Sequence, residues 1–152
     1  MSEATTALGV IDIQRIMASI PHRYPFLLVD RVVEIDGDAS GVGIKNVTAN
    51  EPQFTGHFPE RPVFPGVLMI EAMAQTAGVL VVNASEFGDK QVKTVLFTTI
   101  DKAKFRKPVT PGDQIRFHLT KLARKRNIFF YRGEARVDGA LVAEAEISAM
   151  VV

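Results

Sequence analysis

Residues 67–84 read VLMIEAMAQTAGVLVVNA. Leu, Met and Ala dominate the run, which favours helix, and Pro65 just ahead of it suits a first helical turn. Gly88 and Asp89 beyond it supply a stop. The predicted helix is apolar nearly all round, so it belongs inside a core and not on a surface. Ala72, Ala74, Ala77 and Gly78 are small enough to let a sheet approach closely. Glu71, Gln75 and Thr76 interrupt the apolar stretch that runs from Gly66 to Val82. A membrane span needs about 20 mostly apolar residues, so none is predicted.

The segments on either side say what wraps this helix. Just upstream, residues 50–66 hold Pro52, Pro59, Pro62 and Pro65, four of the chain's eight prolines. Proline fixes φ and lacks an N–H, so this stretch is predicted to be a stiff, extended loop. Earlier still, Asp12 caps a short predicted helix over 13–20 that ends at Pro21. Residues 26–35 and 41–48 read as strands joined at Asp36-Gly37. Downstream, four more strands are predicted over 93–100, 114–123, 128–137 and 141–151, with turns at Pro111-Gly112 and Asp138-Gly139. One buried helix among six β segments predicts an α+β fold, an antiparallel sheet wrapped around the helix.

The 152 residues are one domain's worth. Hydrophobic residues make up 47% and charged residues 23%, which excludes a mostly disordered chain. Cysteine is absent, which excludes disulfides, thiolate nucleophiles, zinc fingers and iron–sulfur sites together. The first ten residues, MSEATTALGV, lack the basic start and apolar run of a signal peptide. Residues 1–11 are therefore predicted to be a flexible arm, residues 12–152 a single domain, and the protein cytoplasmic.

Chemistry concentrates around the helix start. His57 sits in the proline-braced loop, Gly66 opens the helix, and Glu71 lies inside it among Leu68, Met69, Ile70 and Met73. Glu is rarely buried without a partner, and burial disfavours the charged form, so Glu71 is read as a proton donor. Gln75, four residues on, shares its face and can orient it. His57 is read as the histidine beside this acid. Plain alternatives stand next to that reading: His57 as a satisfied loop residue, and Glu71 in a structural ion pair across a dimer interface. The three histidines, His22, His57 and His118, have no ligand spacing with nearby acids, so neither a metal nor a cofactor is expected.

The segment GHFPERPVFPGVLMIEAMAQTAG, residues 56–78, resembles the signature of the β-hydroxyacyl-acyl-carrier-protein dehydratases of type II fatty acid synthesis. HRYPFLLVDRV, residues 22–32, and FRKPVTPGDQI, residues 105–115, match the same family, and the likeness runs over about residues 12–150. It implies a hot-dog fold, dimers commonly assembled as trimers of dimers, and sites at the dimer interface with histidine and acid from different subunits. It implies that His57 and Glu71 are catalytic and that the Gly66 N–H faces the thioester carbonyl. The implied reaction removes water from a (3R)-hydroxyacyl group to leave a trans-2-enoyl thioester, on chains of varied length that include the hydroxymyristoyl precursor of lipid A. Related dehydratase-isomerases carry Asp where this chain has Glu71, which points to dehydration without isomerisation. A hot-dog thioesterase and a non-catalytic acyl-binding module remain rivals.

An apolar acyl chain needs an apolar tunnel, for which Phe54, Phe58, Val67, Met69 and Met73 are candidates, each of which also reads as plain core. Nine basic residues fall between Lys102 and Arg126, with Asp113 the only acid among them. This run is half of the chain's 18 Lys and Arg. A solvated face is the plain reading. With a net charge of +1 and no Trp, nucleic acid is not expected. The resemblance implies an acidic partner, acyl carrier protein, which a basic rim at Lys104, Arg106, Lys125 and Arg126 would steer in.

Overall fold

The structure, a computed structural model, describes residues 9–84 and 94–152. In chain order it contains β1 (Gly9–Ile11), α1 (Ile13–Ser19), β2 (Arg31–Asp36), β3 (Ser40–Asn46), a 3-10 turn (Pro52–Thr55), α2 (Gly66–Asn83), β4 (Val95–Phe105), β5 (Gln114–Lys125), β6 (Ile128–Val137) and β7 (Ala140–Val151). The strands form one antiparallel sheet in the order β1-β2-β3-β5-β6-β7-β4. It wraps α2 in the hot-dog arrangement. The chain crosses from β3 at one side of the sheet, through α2, to β4 at the far edge.

Local sequence accounts for the elements. Asp12 caps α1, its Oδ1 accepting from the Arg15 N–H at 3.0 Å. β5 and β6 alternate, so that Ile115, Phe117, Leu119, Phe129, Tyr131 and Ala135 point at α2 and are buried. The Asp138-Gly139 turn takes φ values of +50° and +83°, the left-handed pair that a two-residue hairpin favours. α2 is long and apolar enough to cross a bilayer by length and composition alone, yet 72% of it is buried within the fold.

Four expectations shift. Residues 1–8, Gly88, Asp89 and Lys93 lie outside the described residues, whereas Gly9–Ile11 forms an edge strand on β2 instead of belonging to an arm. The strand predicted from residue 26 begins only at Arg31. Phe26 and Leu28 spend their backbone groups on the Gln75 side chain and not on a ladder. β4 continues to Phe105, past Asp101, Lys102 and Lys104, which break its apolar run; charges are at home on an edge strand. The close approach of helix and sheet comes from glycines of the sheet more than from those of the helix. A Cβ on Gly41 would stand 2.6 Å from Leu80 Cδ2, one on Gly133 2.5 Å from Met73 Sδ, and one on Gly43 would overlap Thr76. A Cβ on Gly78 would make ordinary contacts.

Candidate active site

Glu51 builds the loop that carries His57. Its carboxylate takes the Thr48 N–H at 2.7 Å, the Gln53 amide at 2.8 Å and the Lys45 ammonium at 2.9 Å. Burial pushes the Glu51 carboxyl up, but Lys45 and these hydrogen bonds outweigh it and hold the group below its ordinary value. The 3-10 turn follows, and the N–H groups of Gly56 and His57 both donate to Gln53 O. The Val63 N–H returns to His57 O at 3.0 Å.

The His57 ring is fixed on two sides. Its Nδ1 lies 2.8 Å from Val63 O, and a carbonyl only accepts, so Nδ1 carries the hydrogen. In the neutral ring Nε2 is then a bare, basic nitrogen. Phe58 stacks on the imidazole with centroids 4.1 Å apart while remaining half exposed.

A pocket of about 380 Å³ opens where α2 begins, lined by Phe64, Gly66, Val67, Met69 and the Phe105–Pro108 segment. Pro65 offers no side-chain cap, and the first N–H groups of a helix have no partner within it. The pocket therefore meets the positive end of α2. A Cβ on Gly66 would stand 2.7 Å from the Phe105 ring, so a larger residue there would have to displace that ring. Of the tunnel candidates, Val67 and Met69 line this pocket, and Phe58 lies on His57. Phe54 and Met73 are core: Phe54 packs edge-on against Phe64 at 6.4 Å, and Met73 is fully buried beneath Gly133.

Glu71 points from α2 into a polar nest. Its Oε2 accepts from Gln75 Nε2 at 2.9 Å. Gln75 is itself fully buried and immobilised, its Nε2 also donating to Phe26 O at 2.7 Å and its Oε1 accepting from the Leu28 N–H at 2.9 Å. The histidine beside the acid is His22, whose Nε2 lies 3.4 Å from Glu71 Oε2. This contact lies within one chain; His22 was not among the candidate site residues expected from the sequence. The HRYPFLLVDRV match begins at His22, but nothing in it points to Glu71. No hydrogen bond or ion pair joins His57 to Glu71 among the described residues.

The basic stretch is not one rim. Cross-strand acids neutralise much of it: Glu34 pairs with Arg116, Asp38 with Lys121, Glu146 with Lys102, and Glu144 with Arg106 at 2.5 Å. Arg132 and Arg106 together hold the Glu144 carboxyl below its ordinary value. Lys104 lies opposite Glu144, near the pocket. Lys125 and Arg126 lie at the β5–β6 turn, next to Ile128, which pairs with Met150. The two pairs are thus separated by roughly 20 Å along the strands, at about 3.3 Å per residue.

Comparison with known proteins agrees with this architecture. Residues 20–146 match the FabA-like domain. The whole chain is 65% identical to the 3-hydroxyacyl-[acyl-carrier-protein] dehydratase FabZ of Methylobacterium radiotolerans and covers 99% of it. It is 58% identical to the FabZ of Sinorhizobium fredii, of which it covers 97%. Among solved structures, the dehydratase heterocomplex ApeI:P from Xenorhabdus doucetiae superposes with a TM-score of 0.79 over 93% of this chain and 91% of that one. At 17% identity, that likeness speaks for the fold. A buried helix in an antiparallel wrap, with a polar site at the helix start, defines a hot-dog protein. The chain belongs to the FabA-like family.

Proposed function

We propose that this chain is a 3-hydroxyacyl-[acyl-carrier-protein] dehydratase of fatty acid biosynthesis. It removes water from a (3R)-hydroxyacyl thioester and leaves a trans-2-enoyl thioester. The observation that carries the chemistry is the His57 ring, pinned at Nδ1 and bare at Nε2. Nε2 takes the C2 proton. The carbonyl oxygen gains charge in front of the Gly66 N–H and the positive end of α2. The C3–O bond breaks as Glu71 gives its proton to the departing hydroxyl, and water leaves.

Two subunits make the site in this reading, with His57 of one facing Glu71 of its partner. β4 supports that assembly. It is an edge strand that leaves Leu96, Phe97, Ile100 and Phe105 exposed beside its charges, and apolar side chains exposed together on a sheet edge suit a partner. A trimer of such dimers, a cytoplasmic location and use of lipid A precursors belong to the same proposal, as does a Glu71 site that dehydrates without isomerising. The acyl group occupies the pocket at Val67 and Met69, and the carrier docks on the basic residues at its mouth.

A hydration assay with an enoyl thioester tests the activity. The enoyl absorbance is expected to fall with no free thiol released; thiol release would mark a thioesterase. Docking has its own expected outcome. Lys104→Glu, at the pocket end, should lower kcat/KM for carrier-borne substrate about tenfold at low salt and flatten its salt dependence. An acyl-CoA should be affected much less. Lys125→Glu and Arg126→Glu lie at the other end of the sheet and should do less. Arg106→Glu and Lys104→Glu each bring a second carboxylate toward Glu144, so their kinetics need a melting curve beside them. If all four reversals leave carrier-borne turnover and its salt slope unchanged, the stretch is a solvated face only.

A further inference from the structure

We propose that His22 is a positioning residue for Glu71, which it holds together with Gln75 so that one carboxyl oxygen is fixed and the other faces substrate. The inference rests on the dehydratase reading above. Gln75 Nε2 donates to Glu71 Oε2, which makes Oε2 an accepting oxygen and favours Oε1 as the place of any proton that Glu71 carries. His22 Nε2 addresses the same Oε2 from 3.4 Å. With Oε2 accepting, that approach is favourable when Nε2 bears a hydrogen, which leaves Nδ1 bare in the neutral ring.

Nδ1 is buried and has no hydrogen-bond partner among the described residues. A buried polar atom without a partner costs desolvation that an apolar side chain would avoid. An imidazole kept there despite that cost points to a task for its other nitrogen.

The same strap of chain fixes both holders. Arg23 ties residues 20–28 to α1, its guanidinium donating to Met17 O at 2.9 Å, and it braces the segment itself through Ile20 O at 3.0 Å. Three places further, Phe26 O and the Leu28 N–H clamp the Gln75 amide. His22 and Gln75 therefore approach Glu71 from one segment of chain, and turning the carboxyl would give up the Gln75 hydrogen bond and the His22 contact together. Orientation of this kind acts on the reacting geometry more than on substrate binding.

The test combines kinetics with nitrogen NMR of the histidine-labelled protein. His22 Nε2 is expected to be protonated in the wild type, with a resonance that shifts in Glu71→Gln. His22→Ala is expected to lower kcat about tenfold with KM within about twofold. His22→Gln, which restores an N–H near the Nε2 position, is expected to recover most of the loss. A bare Nε2 in the wild type, an unchanged kcat in His22→Ala, or a His22→Gln no better than His22→Ala would each overturn the assignment. Should His22→Ala fail to fold, the Nε2 protonation state and His22→Gln decide. A wild type that forms no enoyl thioester brings down the dehydratase reading instead, and the NMR still reports whether His22 holds Glu71.

Discussion

His57→Ala is expected to slow dehydration by about 10²–10⁴, the usual cost of removing a positioned general base, while leaving the fold intact. The His57 side chain is held by one hydrogen bond to Val63 O and one stacking contact with Phe58. Its loop keeps its own backbone bonds, from His57 N to Gln53 O and from Val63 N to His57 O, and neither needs the imidazole. The Glu51 anchor upstream is untouched as well. Turnover and a thermal melt on one preparation check both halves of the expectation. A folded variant that turns over like wild type removes His57 from the mechanism.

Glu71→Gln is expected to lose most activity and to keep or raise stability. Gln has nearly the shape of Glu, and its amide oxygen still accepts from Gln75 Nε2. It cannot deliver a proton to a departing hydroxyl. Replacing an ionisable group by a neutral one in a mostly buried site also lifts a desolvation cost. A melting temperature at or above wild type, with kcat down by two or more orders of magnitude, is the expected pair of results. A variant that unfolds while its folded fraction stays fully active would mark Glu71 as structural.

The parts legible in the sequence are those governed by neighbours along the chain. The helix read over 67–84 is Gly66–Asn83, because its apolar composition and Pro65 act locally. The Glu71–Gln75 contact follows from their spacing of four. Strand β6 is Ile128–Val137, the range read from its alternation. What depends on distant partners was not legible. His22 reaches Glu71 only because the 20–28 strap crosses α2, and nothing near His22 in the chain announces an acid. The run of nine basic residues looks like one patch in sequence, whereas strand pairing brings Glu34, Asp38, Glu144 and Glu146 against it and divides it between two ends of the sheet. Met73 and Phe54 read both as tunnel and as core from the sequence, and the glycine at 133 and the ring of Phe64 set them in the core.

Complementation between the two variants above tests the shared site most directly. His57→Ala and Glu71→Gln chains co-expressed in equal amounts form mixed dimers, each with one intact pair of groups and one doubly damaged pair. Random assortment of a two-fold dimer leaves about one quarter of all sites intact. The mixture is therefore expected to recover about one quarter of wild-type dehydration, from two variants that are each nearly inactive alone. A mixture that contains mixed dimers yet stays at the level of the separate variants would contradict a site built from His57 of one subunit and Glu71 of its partner.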